Sequence, residues 1–515
     1  MFGNTLERRH PFKHENLLHG KLLQELTMNN TNLLCANSSS SFTKMASSSI
    51  KSEPLLAHFS SARSAASCIT DSRRYRRQRK LQLPYLQRTI ATVKDMSIPA
   101  SVCVGLEVEF LVAISTVGTP PGEGRWICLA SKKDAGGLAI GDFRPMEAPC
   151  IHKVCQVMAS GGAPVGCNDM PLLKPSPGQV SGSSLVQLTK TREDIRVWNK
   201  EAAEPTSGTV APSNYWFVVP ERHLTQDCVR KSSKTPSIKY AWFGTEINSP
   251  ILMRPQEFSQ GLPTLRRCLK GIQDNMVVGL NSGCGLHLHV NDAGNMKLQT
   301  ALRVVTLVWH LEDTLLYPLC HPHRSKSAFS MRVSVESSIA MDKGEPAVSG
   351  EGAALVAMLT ELMGKFKGRK KVDKRLVGAM KRLWAQPDLT SLGLALRKFN
   401  EGPVHTTTRC ALVVSKYNTV EFRYPESTFD ADFISRWTDL VRHLYGVAMK
   451  PQADFNRVLS RVYDLATRDQ VPGWSDMMAA IEFKTNIGRW QMRLEQYASN
   501  LKDLDSQGII PASGR

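Results

Sequence analysis

No two of the 12 cysteines in this 515-residue chain stand in a CxxC pair; they are scattered from Cys35 to Cys410. No apolar signal-peptide core precedes them. This pattern excludes a small disulfide-stapled scaffold and leaves reduced intracellular thiols as the expectation. Cys150, His152 and Cys155 make half of a zinc site. No second pair follows, so loop packing is the better reading. Long apolar runs are missing as well. The longest, from Ala301 to Cys320, is interrupted by Arg303, His310, Glu312 and Asp313, which reads as a buried or amphipathic helix and not a membrane span. The glycine pairs at 136–137 and 161–162 lack the lysine of a P-loop. Regular βαβ spacing is absent too.

What is present is an apolar fraction of 42%, enough for a core, and a formal charge of +19. Such a charge suggests nucleic acid or a membrane surface, but its distribution argues otherwise. Residues 1–95 hold 15 basic and 6 acidic residues, and residues 365–382 hold 9 and 1. The remainder carries only +2. The first segment has serine runs at 38–41 and 47–49 and the basic string 73–80, and is expected to be a disordered tail. The second reads as a solvated loop entering a helix, with no aromatic interleaving for nucleic acid. The expected compartment is the cytoplasm, with nuclear import through Arg73 to Lys80 as the alternative.

Ordered structure is expected from about residue 96. Ser101–Ala113 alternates apolar and polar residues and predicts a strand. Residues 118 to about 190 read as long loops. Short strands are expected at Tyr215–Val219 and Tyr240–Asn248, a helix over Pro255–Leu280 and a strand at Gly285–Val290. Helices are expected from Lys297 to about Cys320, over Gly352–Phe366 and over Lys374–Lys398. A strand over Ala411–Tyr424 precedes helices through Leu501. The fold class predicted is α+β, an antiparallel sheet with helices on one face.

Four strands carry charge at period two within apolar surroundings. Glu107 and Glu109 share one face of Val104–Phe110, and His287 and His289 share one face of Gly285–Val290. Glu421 and Arg423 share a face of Thr419–Tyr424, and Glu246 lies within Trp242–Pro250. Any one of these strands is most simply half-exposed, with its polar face in water. Four together combine oxygen and nitrogen ligands for divalent metal with a guanidinium suited to phosphate or carboxylate. Asn281 and Cys284 read as a turn residue and a small buried thiol rather than a nucleophile. Trp309, Trp384 and Trp437 read as core.

The succession Gly105-Leu106-Glu107-Val108-Glu109-Phe110, Glu246-Ile247-Asn248-Ser249-Pro250-Ile251-Leu252, Asn281-Ser282-Gly283-Cys284-Gly285-Leu286-His287-Leu288-His289-Val290 and Thr419-Val420-Glu421-Phe422-Arg423-Tyr424-Pro425 resembles the amidoligase family. That family belongs to the carboxylate–amine ligase superfamily, with glutamine synthetase and glutamate–cysteine ligase. The resemblance spans roughly Val104 to Met449. It implies a glutamine synthetase-like fold, a curved antiparallel sheet with a concave polar face. It also implies ATP and Mg²⁺ as cofactors, and amide-bond formation between a small-molecule or peptide carboxylate and an amine through an acyl phosphate. Glu107, Glu109, Glu246, His289 and Glu421 are then the expected metal ligands. Glu107, Glu109 and Arg423 are the catalytic groups, and His287, His289, Arg324 and Arg423 the nucleotide-binding ones. Two segments depart from the family pattern. Trp216 to His223 has Glu221 where the family has Asp and no Ser follows, and Thr407 to Leu412 around Arg409 lacks the family's Asn. The implied layout is a tail at 1–95 and a catalytic domain at 96–450. That domain has a loop-rich insertion at about 118–210 and a basic helical insertion at about 352–400, and a helical extension follows at 451–515. Two other readings fit the same residues: a metal-dependent hydrolase using the histidines and glutamates around an activated water, and a binding protein with a degenerate site.

Overall fold

The computed structural model describes residues 98–115, 119, 123–131, 143–168, 185–187, 195–198, 214–224, 240–281, 283–293, 296–365, 374–400, 406–415, 417–468, 472–483 and 487–507. The segment read as a basic tail lies outside the described residues. The described part falls within one compact unit, 81–515.

Strands β1 (Val102–Ser115), β2 (Cys128–Leu129), β3 (Val165–Asn168), β4 (Leu185–Gln187), β5 (Ile195–Trp198), β6 (Trp216–Pro220), β7 (Ala241–Asn248), β8 (Val278–Gly279), β9 (Leu286–Asp292), β12 (Leu412–Val414) and β13 (Val420–Phe422) form one sheet, while β10 (Arg397–Phe399) and β11 (Thr407–Arg409) form a separate ribbon. The order along the main sheet is β12-β13-β9-β1-β7-β6-β3-β5-β4. Most pairs are antiparallel; β3 runs parallel to β5 and β6, and β1 parallel to β2. The class is therefore mixed α+β with a mostly antiparallel sheet.

β1 is central because its even positions are apolar along its whole length. Leu106, Val108, Phe110 and Val112 are at most 1% exposed, and Phe110 meets Phe429 edge-on at 5.6 Å. That contact joins the sheet to the segment just ahead of the helix over Ala431–Met449. The long helices are α1 (Arg144–Ser160), α2 (Pro263–Asn275), α3 (Leu298–Leu311), α4 (Gly350–Lys365), α5 (Lys374–Trp384), α6 (Ala431–Met449), α7 (Gln452–Ala466) and α8 (Ile487–Gln507). α6 lies on β1 and β9 and against α3. Its start is set by Asp430, whose side chain accepts from the backbone N–H groups of Asp432 and Phe433. α8 joins the same core: Trp490 is fully buried against Trp437 and Phe433, at 5.7 and 5.8 Å.

The structure differs from the sequence expectation in five places; the first is the helix expected over Lys374–Lys398, which ends at Trp384 and is followed by a short helix over Leu389–Ala395 and by β10. Residues read as loop between 118 and 190 include α1, which is buried at Met146, Ala148, Cys150, Ile151, Val154, Cys155, Val157 and Met158. These positions wrap the helix instead of forming one stripe, so no 3.6-residue pattern is visible. The helix expected over 255–280 is broken at Gly261 and Leu262, both at positive φ, ahead of Pro263. The strand expected over 411–424 is a hairpin of β12 and β13, turned at Asn418 with φ 55°. The helix through Cys320 ends as α3 at Leu311 and continues as a single wide turn over Glu312–Leu316. In that turn the Glu312 carboxylate is fully buried. It accepts from Val333 and Ser334 N–H and from the Tyr424 hydroxyl, pinning the chain beside Arg423.

Of the basic run, residues 366–373 lie outside the described residues. Two members beyond them are used internally: Arg382 donates to the carbonyls of Ile339 and Gly344, and Lys381 pairs with Glu345. No helix among the described residues is long and apolar enough to cross a membrane.

Candidate active site

Register places the four charged strands' polar positions on one face. Glu107 stands opposite His287 and Glu109 opposite Glu246, while His289 stands opposite Glu421. Directly opposed residues in antiparallel strands project to the same side, so a pattern visible on each strand becomes one cluster across β13, β9, β1 and β7.

β6 adds a fifth strand. Val219 is opposite Glu246, which puts Glu221, two residues on, on the same face and next to it. The Glu221 backbone N–H donates to the Gly244 carbonyl and its carboxylate accepts from His223 N–H. Glu221 is the residue that departs from the family's Asp. Its period of two from Phe217 and Val219 is the signal that could have placed it.

The hydrogen bonds order the groups. His287 Nδ1–H donates to Glu107 Oε2 at 2.8 Å and His289 Nε2–H to Glu107 Oε1 at 3.0 Å. His289 Nδ1 lies 2.8 Å from the Thr419 hydroxyl. Glu109 accepts from Gly285 N–H at 2.6 Å, and Glu246 accepts from the Asn248 amide at 2.8 Å. Glu421 and Arg423 form a close ion pair. Arg324 is only 1% exposed and sits beneath Arg423, donating to its carbonyl at 3.1 Å. Asn281 caps its own turn, accepting from Gly283 and Cys284 N–H, and Cys284 is buried, which accounts for both without a nucleophile.

The electrostatics split the acids into two kinds. Burial would raise the Glu107 carboxyl, but the bonds from His287 and His289 outweigh it and hold Glu107 below the usual carboxylate range. Burial likewise opposes ionisation of Glu421, and the charge of Arg423 and the imidazoles overcomes it. At Glu246 and Glu221 the balance goes the other way. Burial pushes both upward, and the neighbouring carboxylates add to it: Glu107 and Glu109 at Glu246, Glu109 at Glu221. Three sets of ligand atoms lie within 4.8 Å of one another: Glu107–His289–Glu421, Glu107–Glu246–His287 and Glu109–Glu221–Glu246. Among the described residues these are the groups that could hold a metal ion, and Cys150, His152 and Cys155 do not form one. His287 Nε2 is buried without a hydrogen bond, 3.5 Å from Glu109. A buried imidazole nitrogen without a hydrogen bond and carboxylates that push one another upward together fit divalent cations.

The face opens into a cavity of about 480 Å³. Glu107, Glu109, Glu221, Glu246 and His287 form one wall. Arg423 lies beside them, Thr407, Thr408 and Arg409 also line the space, and Leu224, Ala328 and Phe329 supply its apolar part. Both segments that depart from the family pattern, around Glu221 and Arg409, thus border this space.

No curated protein and no solved structure matches the chain. A family model described as "Putative amidoligase enzyme" matches residues 185–345, a stretch that carries Glu221, Glu246, His287, His289 and Arg324. Glu107, Glu109, Glu421 and Arg423 lie outside the match, and the sheet register delivers them to the same face. The motif resemblance and the match agree: over residues 185–345 the chain is similar to the amidoligase family.

Proposed function

We propose that this protein is an ATP- and Mg²⁺-dependent carbon–nitrogen ligase that joins a carboxylate to an amine on a glutamine synthetase-like sheet. The observation that carries the reading is the Glu109–Glu221–Glu246 cluster, three carboxylates whose oxygens lie within 4.8 Å of one another on the lining of a cavity. Such a set is costly for folding alone and all-oxygen, which suits hard Mg²⁺ better than zinc.

Glu109, Glu221 and Glu246 would hold one ion; Glu107, with His287 or with His289 and Glu421, would hold another. Mg²⁺, when bound, supplies neutralisation of phosphate charge. The rest follows from the chain's own groups. A carboxylate oxygen of the acid takes the γ-phosphoryl group of ATP and ADP departs. The amine nitrogen then bonds to the acyl carbon, phosphate departs and the amine proton is released. Arg423, aimed into the cavity and supported from beneath by Arg324, serves the transferring phosphoryl group or the acid's carboxylate. Phe329 and Leu224 limit water at the acyl group.

The test is thermal stabilisation by ATP with and without Mg²⁺, followed by amine-dependent phosphate release across an amine panel. Failure of MgATP to bind the purified chain overturns the reading. Tightly retained Zn²⁺ without nucleotide binding would point to a hydrolase instead.

A further inference from the structure

The ribbon of β10 and β11 contributes Thr407, Thr408 and Arg409 to the lining of the cavity that also holds the acids. Its register sets Arg397 directly opposite Arg409, so two guanidinium groups share one face of an isolated two-stranded ribbon. Like charges in that relation destabilise a ribbon. Neither arginine has an ion-pair partner among the described residues, whereas Arg423 is already paired with Glu421. Arg397 spends one N–H on the Thr407 hydroxyl, 3.3 Å away, while its Nε is buried with no acceptor. Arg409 is exposed and lines the cavity together with Thr407 and Thr408. Burial and the charge of Arg409 disfavour the Arg397 cation, and the Glu421 carboxylate offsets only part of this.

This arrangement lacks an oxyanion. Two guanidiniums and the Thr407 hydroxyl, which can still donate its proton, match a carboxylate or phosphate group bidentately. Metal and transferring phosphate belong at the acidic cluster of β1, β6 and β7, so an oxyanion held by the ribbon is assigned to another part of the acid substrate.

We propose that Arg409, backed by Arg397 and Thr407, is the specificity-determining subsite for a second carboxylate on the acid substrate, which makes that substrate a dicarboxylate or an amino-acid-like acid. The assignment rests on the ligase reading above. Its differences from the family pattern around Arg409 are where a change of acid would be encoded.

The experiment measures binding to the full chain by calorimetry, with glutarate, butyrate and MgATP as probes, for the parent protein, Arg409→Gln and Arg397→Gln. Glutarate should bind the parent at least tenfold tighter than butyrate. Arg409→Gln should weaken glutarate at least tenfold, leave MgATP within twofold and raise the ligand-free melting temperature, since it relieves the Arg–Arg repulsion. A subsite for nucleotide phosphate would instead lose MgATP affinity in Arg409→Gln, and that outcome overturns the proposal. Equal binding of glutarate and butyrate by the parent, or glutarate binding unchanged in both variants, also overturns it. If MgATP fails to bind the parent while glutarate binds through Arg409, the ligase reading falls and the carboxylate subsite stands.

Discussion

Glu107 and His287 stand directly opposite each other in the β1–β9 register, with His287 Nδ1 2.8 Å from Glu107 Oε2. The bond fixes the imidazole with Nδ1 as donor and leaves Nε2, buried and without a partner, directed toward Glu109. A carboxylate that orients a histidine while itself facing a cavity is the usual support of a metal ligand.

Glu107→Gln keeps the volume but removes the charge and replaces one of the two accepting oxygens with a donor. Mg²⁺-dependent thermal stabilisation should be reduced, since one of the two ion sites loses a ligand, and ATP turnover should fall by about 10²–10³-fold, the scale of losing one preorganised electrostatic group. Circular dichroism should remain that of the parent. Retention of both metal response and turnover would remove Glu107 from the site.

The metal-free protein should lose stability as pH rises above the ordinary carboxyl range. Glu246 and Glu221 have folded-state values raised above their unfolded ones, so the folded state holds more protons across that interval. Their contribution is complete below the unfolded value and fades as pH climbs through the folded one. Saturating Mg²⁺ should flatten this slope, adding about 2.7 kcal/mol at 100 times its Kd. Glu246→Gln should raise the metal-free melting temperature and abolish the Mg²⁺ response. Melting curves across pH, with Mg²⁺ or EDTA, measure all three.

Gly285→Ala should be strongly disruptive despite its size. A Cβ there would lie 2.6 Å from Arg324 Nη2 and 2.7 Å from His287 Nε2, and both side chains are buried. Overpacking of this kind costs about 1–3 kcal/mol, and it would displace the imidazole as well. Denaturant titration reads the first effect and loss of divalent binding the second. A variant with parental stability would show that the two side chains can yield.

Trp490→Ala tests whether α8 belongs to the catalytic unit. Its indole is fully buried on Trp437 and Phe433, and truncation should cost about 3–5 kcal/mol. The nearby Tyr497 hydroxyl bonds to Glu426, which burial pushes up to about 7. If α8 were a detachable extension, the main melting transition would not move.

What could be read along the chain was whatever repeats locally. Alternation at Glu107 and Glu109, at His287 and His289, and at Glu421 and Arg423 marks a polar face on each strand, since side chains in a strand reverse at every residue. The mostly antiparallel class and the buried tryptophan of α6 were legible for the same reason. Where a helix is buried on several sides, as α1 is, no stripe betrays it. Register was beyond the sequence, because it arises between strands far apart in the chain: Glu109 meets Glu246 and Glu421 meets His289 only through pairing. It turned Glu221 from a departure in a motif into the third acid of a cluster, and it set Arg397 against Arg409. The types of group needed for the chemistry were written in the sequence; which of them share a cavity, and which charges are left without partners, was decided by long-range pairing in the tertiary structure.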